Sequence, residues 1–359
     1  MKKGFLLLLT IILLTYGYQA YQVVDSYRND VLSIKTSGKL SDITEKVLPV
    51  PLDVPDSGVV RNVKHVRKDG NDLFMLSDNR LLHFNMRGQF INQLANEISE
   101  DNDKSIVEYV LDTNNHLALV VDSDRIISAF DYHGNMISSI RIDKPWHKIT
   151  ALAFHDGYLW ATAETLTKAD LDPSSFQIEQ KLYQLDMNLN EIYSQTLRTA
   201  NFGRNNFFHR LWVDELLVDE QEGVYAYSSG TDAAVLLEDT IRIAQQKKIP
   251  LLYKDARYGM ACIYPVRKGK RHYLSTYHND LADNSFTFCF DDLKQTAYML
   301  SDGFKDDFFK TGHVLDLQPM DIYNESYCFI KSGKDIAKKF PKRAKDSDSP
   351  MLFIFKLNV

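Results

Sequence analysis

Residues 80–91 read RLLHFNMRGQFI, and the pattern returns as RIISAFDYHGNMI at 125–137 and, more loosely, as KLYQLDMNLNEI at 181–192. Each copy has an apolar-rich segment, a short turn built on Gly or Asn, and a second strand-like segment, which together indicate a β-hairpin. Hairpins that recur every ~40–50 residues are typical of β-propellers. The repetition therefore predicts one closed all-β ring instead of the two domains that chain length alone would suggest.

The composition is compatible with one large core and argues against nucleic acid as a partner. Of the 359 residues, 44% are apolar and 12% are aromatic, so the chain can bury a substantial core. The net charge is -6 and the pI is about 5.9. Such a balance provides no basic field of the kind that attracts phosphate backbones.

Six blades can be traced along the chain from strand-like segments separated by turn residues. The first is predicted at 62–67, 72–77, 81–85 and 89–94, and four more follow up to residue 300. The third blade carries an insert at Leu166 to Phe176, which its polar residues predict to be a surface loop.

The last blade has only three predicted strands of its own. These are Val314 to Ile322, Ser326 to Lys331 and Met351 to Leu357. We expect Glu45 to Leu52 to supply the fourth strand, because pairing the N-terminal strand with the C-terminal blade closes the ring and leaves no long apolar edge. The predicted fold is thus a six-bladed β-propeller spanning 45–359.

One segment of the fourth blade fits two structures. Asp232 to Lys247 could form a helix, with Asp232 as its cap and an apolar face at Ala234, Leu237 and Ile241. It could equally form a hairpin that turns at Glu238 and Asp239. Periodicity alone does not decide between them.

The N-terminus has the pattern of an export signal. Residues 1–22 contain Lys2 and Lys3 followed by the apolar run Gly4 to Leu14. The alternative is an uncleaved membrane anchor, which would be the chain's one membrane contact. Residues 23–44 are a predicted lead-in to the propeller, and the mature protein is expected in the periplasm or outside the cell.

Three segments carry a family resemblance: residues 38–52 (GKLSDITEKVLPVPL), residues 60–64 (VRNVK) and residues 84–91 (FNMRGQFI). They resemble the bacterial six-bladed β-propeller family of NHL-like extracytoplasmic proteins. The resemblance implies a fold and a compartment more than an activity. One departure is that the Gly-Pro-Glu-Tyr-like motif usual after the first blade is reduced here to Glu108 and Tyr109.

In a propeller, the loops that join the outer strand of one blade to the inner strand of the next gather around one mouth of the central channel. In this chain those predicted loops are rich in aromatic, basic and amide side chains, which suit a sugar ring or an extended peptide. The candidate ligand-binding residues are Trp146, Arg204, Asn206, Phe208, His209, Arg257 and Tyr258. The alternative is that the aromatic side chains pack between blades.

A metal site could be argued from histidines in or beside predicted loops, namely His147, His209, His278 and His313. No close spacing supports such a site, so solvated or packed histidines are the favoured interpretation, and no metal or cofactor is expected.

The favoured function is an exported, non-catalytic propeller, a monomer, that binds a glycan, a peptide or a cell-envelope protein at the channel mouth. Two alternatives stay open. One is a metal-dependent lyase or hydrolase with a His-lined site at that mouth, and the other is a structural scaffold.

Overall fold

The structure is a computed structural model. The residues that it describes are 34–52, 60–95, 105–168, 176–202, 214–219, 223–228, 233–237, 242–245, 251–255, 259–263, 267–268, 271–279, 284–322, 326–342 and 350–358.

The first half of the described chain is built from strands and one short 3-10 helix at Leu40–Asp42. In chain order the strands are β1 (Ile34–Lys35), β2 (Val47–Pro51), β3 (Lys64–Asp69), β4 (Asp72–Ser77), β5 (Arg80–Asn85), β6 (Phe90–Ala95), β7 (Ile106–Asp112), β8 (Leu117–Asp122), β9 (Ile126–Asp131), β10 (Met136–Arg141), β11 (Lys148–His155), β12 (Tyr158–Lys168), β13 (Phe176–Leu185) and β14 (Glu191–Phe202).

The second half has shorter strands and a 3-10 helix at Gly333–Asp335. Its strands are β15 (Asp214–Asp219), β16 (Gly223–Ser228), β17 (Ala233–Leu237), β18 (Arg242–Gln245), β19 (Leu251–Asp255), β20 (Gly259–Ile263), β21 (Arg267–Lys268), β22 (His272–Asn279), β23 (Asn284–Asp291), β24 (Thr296–Leu300), β25 (Phe304–Lys305), β26 (His313–Val314), β27 (Gln318–Pro319), β28 (Tyr327–Lys331) and β29 (Met351–Phe355).

Within the described residues, five sheets have four strands each. Four are consecutive meanders, β3 to β6, β7 to β10, β11 to β14 and β15 to β18, and the fifth has the order β2-β29-β28-β27. The first strands of neighbouring sheets lie against each other, β27 against β3, β3 against β7, β7 against β11 and β11 against β15. This is the arrangement of propeller blades around a centre. The predicted all-β propeller is confirmed, whereas a count of five such blades does not confirm the predicted six.

The pairing between the two ends of the chain is also confirmed. β2 runs antiparallel to β29, with Val47 opposite Phe355 and Pro51 opposite Met351. All five residues of β29 are buried. The N-terminal strand therefore covers an apolar edge that the C-terminal blade would otherwise expose.

The segment before β2 holds two sheets together. β1 pairs in parallel with β24, so β21 to β24 become a five-stranded sheet. Leu40 and Ile43 then enter the core beside Tyr327 and Phe353. Part of the segment predicted as a lead-in thus forms a strand and contributes to the core.

Three local expectations can be compared with the strands. β17 and β18 pair antiparallel, with Ala233 opposite Gln245, which agrees with the hairpin alternative in the described residues 233–237 and 242–245. The predicted loop at Leu166 to Phe176 is wrong at both ends, which continue β12 and β13 with Lys168 opposite Phe176, and residues 169–175 lie outside the described chain. The predicted first strand of blade five, Met260 to Val266, was wrong in its pairing: Met260 pairs with Lys254 of β19, and β21 pairs with β22.

The repeated hairpin turns share one geometry. Asp131 Oδ1 accepts the backbone N–H groups of His133 and Asn135, at 3.0 and 2.8 Å. Asp186 does the same for Asn188 and Asn190, both at 2.8 Å. Side-chain hydrogen bonds from the Asn at the end of each turn lower the pKa of Asp131 and of Asp186. These Asx turns fix the register of successive blades.

A partly buried ion pair lies at the start of β22 in the five-stranded sheet. Arg271 donates two hydrogen bonds to Asp291, Nε to Oδ1 and Nη2 to Oδ2, both at 2.7 Å. Burial opposes ionisation of Asp291, but the bonds from Arg271 outweigh it and lower the pKa of the carboxyl. Beside them His272 is 1% exposed, and neither ring nitrogen makes a hydrogen bond within the described structure. Burial lowers the pKa of His272 to about 4.

We expect the free energy of unfolding to fall by about 3 kcal/mol as pH drops from 6.5, the ordinary pKa of histidine, to about 4, the pKa of folded His272. In this window the unfolded histidine binds a proton and the folded one does not, so stability is lost on acidification. The lowered pKa of Asp291 adds a further loss at still lower pH. Denaturant unfolding at several pH values measures the slope.

The matched variant is His272→Phe, which keeps a buried aromatic ring and removes the titrating nitrogens. It should flatten the pH dependence between about 4 and 6.5. An unchanged slope in the variant would assign the acid sensitivity to other groups.

Among the described residues, no helix is long and apolar enough to cross a membrane. The predicted signal or anchor at residues 1–22 lies outside that part of the chain.

Candidate interaction site

The first strands of three neighbouring blades are irregular near their starts. The pairing register shifts between Lys64 and Arg67 in β3, between Ile106 and Glu108 in β7, and between Ile149 and Ala151 in β11. In β3 the bulge places His65 at a φ of 48°. Bulges redirect side chains, and a non-glycine residue at positive φ costs conformational energy that neighbouring contacts must offset.

Contacts with residues of β7 offset the conformational energy of His65. His65 Nδ1 lies 2.9 Å from Glu108 Oε2, and Arg67 Nη2 lies 3.8 Å from Glu108 Oε1. The buried Tyr109 hydroxyl donates to the carbonyl oxygens of His65 and of Phe74. Glu108 and Tyr109 on β7 therefore hold the bulged backbone of β3 in place.

The network extends to a third sheet and is charged. Arg67 Nη1 donates to the Pro319 carbonyl of β27 at 3.3 Å. Burial opposes ionisation of Glu108, but the hydrogen bond with His65 and the charge of Arg67 lower its pKa. A carboxylate at the centre thus links the first strands of three adjacent blades. Glu108 and Arg67 are paired with each other, and Arg67 also bonds to Pro319. These contacts hold the first strands of the three blades together.

A second cluster lies where β3 and β9 end. The rings of Phe74 and His83 stack with centroids 4.4 Å apart, and Tyr132 lies 4.5 Å from Phe74. The Tyr132 hydroxyl donates to Asp69 Oδ2 at 2.8 Å, and the exposed His116 has its Nδ1 3.4 Å from the same oxygen. Burial, and then the bond to Asp69, raise the pKa of Tyr132.

Polar contacts connect this cluster across two blades. His83 Nε2 lies 2.8 Å from Asp72 Oδ1, and its Nδ1 lies 3.0 Å from Asn92 Oδ1. Asn92 in turn donates from Nδ2 to the carbonyl of Tyr132 at 3.0 Å. His116 is exposed and Tyr132 is partly buried, and their ring centroids lie 5.4 Å apart. Such a pair beside a carboxylate can contact a polar ligand, although its first effect here is to join two blades.

Of the predicted ligand-binding residues, Trp146 is the one within the described chain. It is 3% exposed and packs against Tyr183, with ring centroids 4.8 Å apart. This burial favours the packing alternative for Trp146. The remaining candidates, Arg204, Asn206, Phe208, His209, Arg257 and Tyr258, lie outside the described residues.

The flanking strands still show which connections carry those candidates. The segment at 203–213 leads from β14, the last strand of one blade, to β15, the first strand of the next, as an inter-blade loop should. β19 and β20, the strands on either side of 256–258, pair antiparallel, with Asp255 opposite Gly259. Arg257 and Tyr258 themselves lie outside the described residues, so their place at the channel mouth stays a prediction.

The histidines considered for metal ligation are not brought together in the described chain. His147 and His313 are exposed, and no group of three or more His, Cys, Asp or Glu side chains suited to a metal occurs among the described residues. His209 lies outside them, and only the backbone of His278 is described.

Sequence reasoning missed the roles of His65, Arg67 and Tyr132. The available signal was weak: the first strand of the first blade, KHVRKD at 64–69, is unusually polar, with Val66 as its one apolar residue. Glu108 and Tyr109 were noticed through the family resemblance alone, and their contact with His65 depends on how neighbouring blades pack.

Comparisons with known proteins show the fold. No family model matches this chain, and no curated protein matches it. Among solved structures it is similar to a Bacteroides fragilis protein named "Putative exported protein", with a TM-score of 0.59 and 15% identity over 91% of this chain and 100% of that one. It also matches the β-propeller domain of Cps50 (Swd1) from Myceliophteria thermophila, with a TM-score of 0.45 and 10% identity over 87% of this chain and 100% of that one. At 15% identity, the likeness to the Bacteroides fragilis protein is a likeness of fold alone.

Proposed function

We propose that this protein is an exported, non-catalytic interaction propeller. The observation that carries the proposal is that polar and charged side chains of the first strands, His65, Arg67 and Glu108, contact one another across blades. They stabilise the ring and leave partner binding to its loops, where propellers and other rigid scaffolds commonly place function. The similarity to a protein named as exported agrees with a signal at residues 1–22 and a periplasmic or extracellular location.

The proposal includes six blades of the NHL-like type. The five-stranded sheet of β21 to β24 with β1 would be the sixth blade, with β1 added to its outer edge. It would then stand in chain order between β15–β18 and the sheet made from both ends of the chain.

The ligand site would be the channel mouth, where the loop at 203–213 enters β15. Arg204, Asn206, Phe208 and His209 in that loop combine apolar area with directional hydrogen-bonding groups. A glycan, a peptide or a cell-envelope protein would suit such a surface.

A binding screen of the mature protein against glycan and peptide arrays, with metal analysis of the same sample, tests this function. For a ligand found in the screen, Phe208→Ala and Arg204→Ala should each weaken binding by about 2 kcal/mol or more, the scale of an interface hot spot. Leu293→Ala is the control, because Leu293 is an exposed apolar residue of a different turn. Unchanged affinity in both loop variants would place the site elsewhere, and an equal loss of thermal stability would indicate packing.

A further inference from the structure

Each blade ends in an outer strand, and the far edge of an outer strand is a place where a further strand can pair. Such edges are usually protected by proline, by bulges, by charge or by a covering segment. The outer strands of this propeller differ in how far they are protected.

Four outer edges carry a recognisable protection. β2 contains Pro49 and Pro51, which cannot donate a backbone hydrogen bond. β24 is covered by β1. β6 and β14 each show two shifts of register against their neighbours, which twist an edge away from regular pairing.

The outer edge of β10 has less protection than those four edges, and it is the unprotected edge whose side-chain exposure is described. For β18, whose sequence RIAQ also lacks proline and lysine, only the backbone is described. The β10 sequence MISSIR has neither proline nor lysine, and its register is regular from Ser138 to Arg141 after a single shift. Every residue except Ile140 is exposed, and Met136 and Ile137 are 63% and 59% exposed. Two adjacent apolar side chains thus stand at an open edge.

The fold itself shows that an outer edge can take an added strand. β1 lies parallel to β24, with Ile34 opposite Ala297 and Lys35 opposite Tyr298. The ammonium group of Lys35 also lies 5.3 Å from the centroid of the Tyr298 ring. Within the described residues this pairing spans Ile34 and Lys35.

We propose that the outer edge of β10 binds an extended segment of a partner protein by strand addition. Backbone hydrogen bonds would hold the segment, and its apolar side chains would pack on Met136 and Ile137. A carboxylate of the segment would meet Arg141, which takes part in none of the ion pairs found among the described residues.

The size of the edge favours a peptide segment over a second copy of the chain. Six residues at about 3.4 Å each give an edge of roughly 20 Å. A stable dimer buries about 1,200 Å² or more in total, which one strand edge does not offer. A short extended segment matches the edge in length.

The probe is a phage-displayed library of random linear peptides, selected on the mature protein. Binders are then measured against Ile137→Lys and against the matched control Ile192→Lys. Ile192 stands at the same place after its repeat turn and is 54% exposed. We expect Ile137→Lys to weaken edge-binding peptides at least ~10-fold and Ile192→Lys to leave them unchanged, because a lysine blocks the edge locally.

Two further measurements separate strand addition from side-chain contact. Peptides with methylated backbone nitrogens keep their side chains and should lose binding, and hydrogen exchange at residues 136–141 of the wild-type protein should slow when the unmodified peptide is bound. The exchange measurement remains valid even if Ile137→Lys fails to fold.

Three outcomes would overturn the proposal. The first is that the selected peptides bind Ile137→Lys and Ile192→Lys equally well, and the second is that peptides with methylated backbone nitrogens bind as well as unmodified ones. The third outcome is that the wild-type protein associates with itself and that Ile137→Lys abolishes this association. Peptides weakened by Phe208→Ala but not by Ile137→Lys would support the channel mouth and refute the β10 edge. The experiment can therefore refute the β10 edge without refuting the channel mouth, and the reverse.

Discussion

Deleting all residues before Asp53 is expected to abolish cooperative folding of the propeller. The deletion removes β2, which pairs with β29 over five residues, and with it the buried side chains of Val47, Val50 and Leu52. Each buried aliphatic side chain contributes about 1.5–3 kcal/mol, and a domain of this kind is stable by only about 5–15 kcal/mol. Circular dichroism during thermal unfolding should show no sharp transition for the truncated chain.

Two point variants on the same strand show whether burial is the cause. Val50 is 2% exposed and Leu48 is 43% exposed. Val50→Asp should cost several kcal/mol, because it places an unpaired charge in the core, whereas Leu48→Asp should cost about 1 kcal/mol or less. A truncated chain that unfolds as sharply as the full chain would show that the pairing of β2 with β29 does not hold the ring together.

Gly88→Ala is expected to destabilise the fold by about 3 kcal/mol or more. Gly88 lies in the first repeat turn at a φ of +80°, and a Cβ there would lie 2.0 Å from the carbonyl oxygen of Pro51. The positive φ alone costs about 1–2 kcal/mol for alanine. The additional loss would come from the clash, which forces β2 away from the turn.

Gly157→Ala is the control for that variant. Gly157 has a φ of +79°, nearly the same as that of Gly88, but a Cβ there would have no atom within 4 Å. Gly157→Ala should therefore lose only the free energy that alanine costs at a positive φ. The difference between the losses of unfolding free energy in Gly88→Ala and Gly157→Ala then measures the clash with Pro51. Equal losses of stability in the two variants would mean that β2 moves away from a Cβ at position 88 without destabilising the fold.

Local signals in the chain account for much of this architecture. The turn at 85–89 and its copies at 131–135 and 186–190 could be predicted because their turn residues and flanking apolar segments are adjacent in the sequence. The pairing of β2 with β29 could also be predicted, since an apolar strand without a partner and a blade lacking a strand had to meet.

Other features depend on which blades become neighbours. Trp146 has the sequence context of a loop residue, yet it is buried against Tyr183, because the next blade folds over it. The contact of His65 with Glu108 joins residues of two blades, and the register shifts that permit it leave no mark in composition or periodicity.

The sequence by itself determined the strand class, the repeat turns and the closure of the chain ends, because each follows from hydrogen-bonding and burial requirements of segments that can be read locally. Only the tertiary structure decided the network around Glu108, the covering of β24 by β1 and the open edge of β10. The physical reason is that a strand edge or a charged side chain has the same local sequence whether or not another segment covers it, and packing between blades makes that choice.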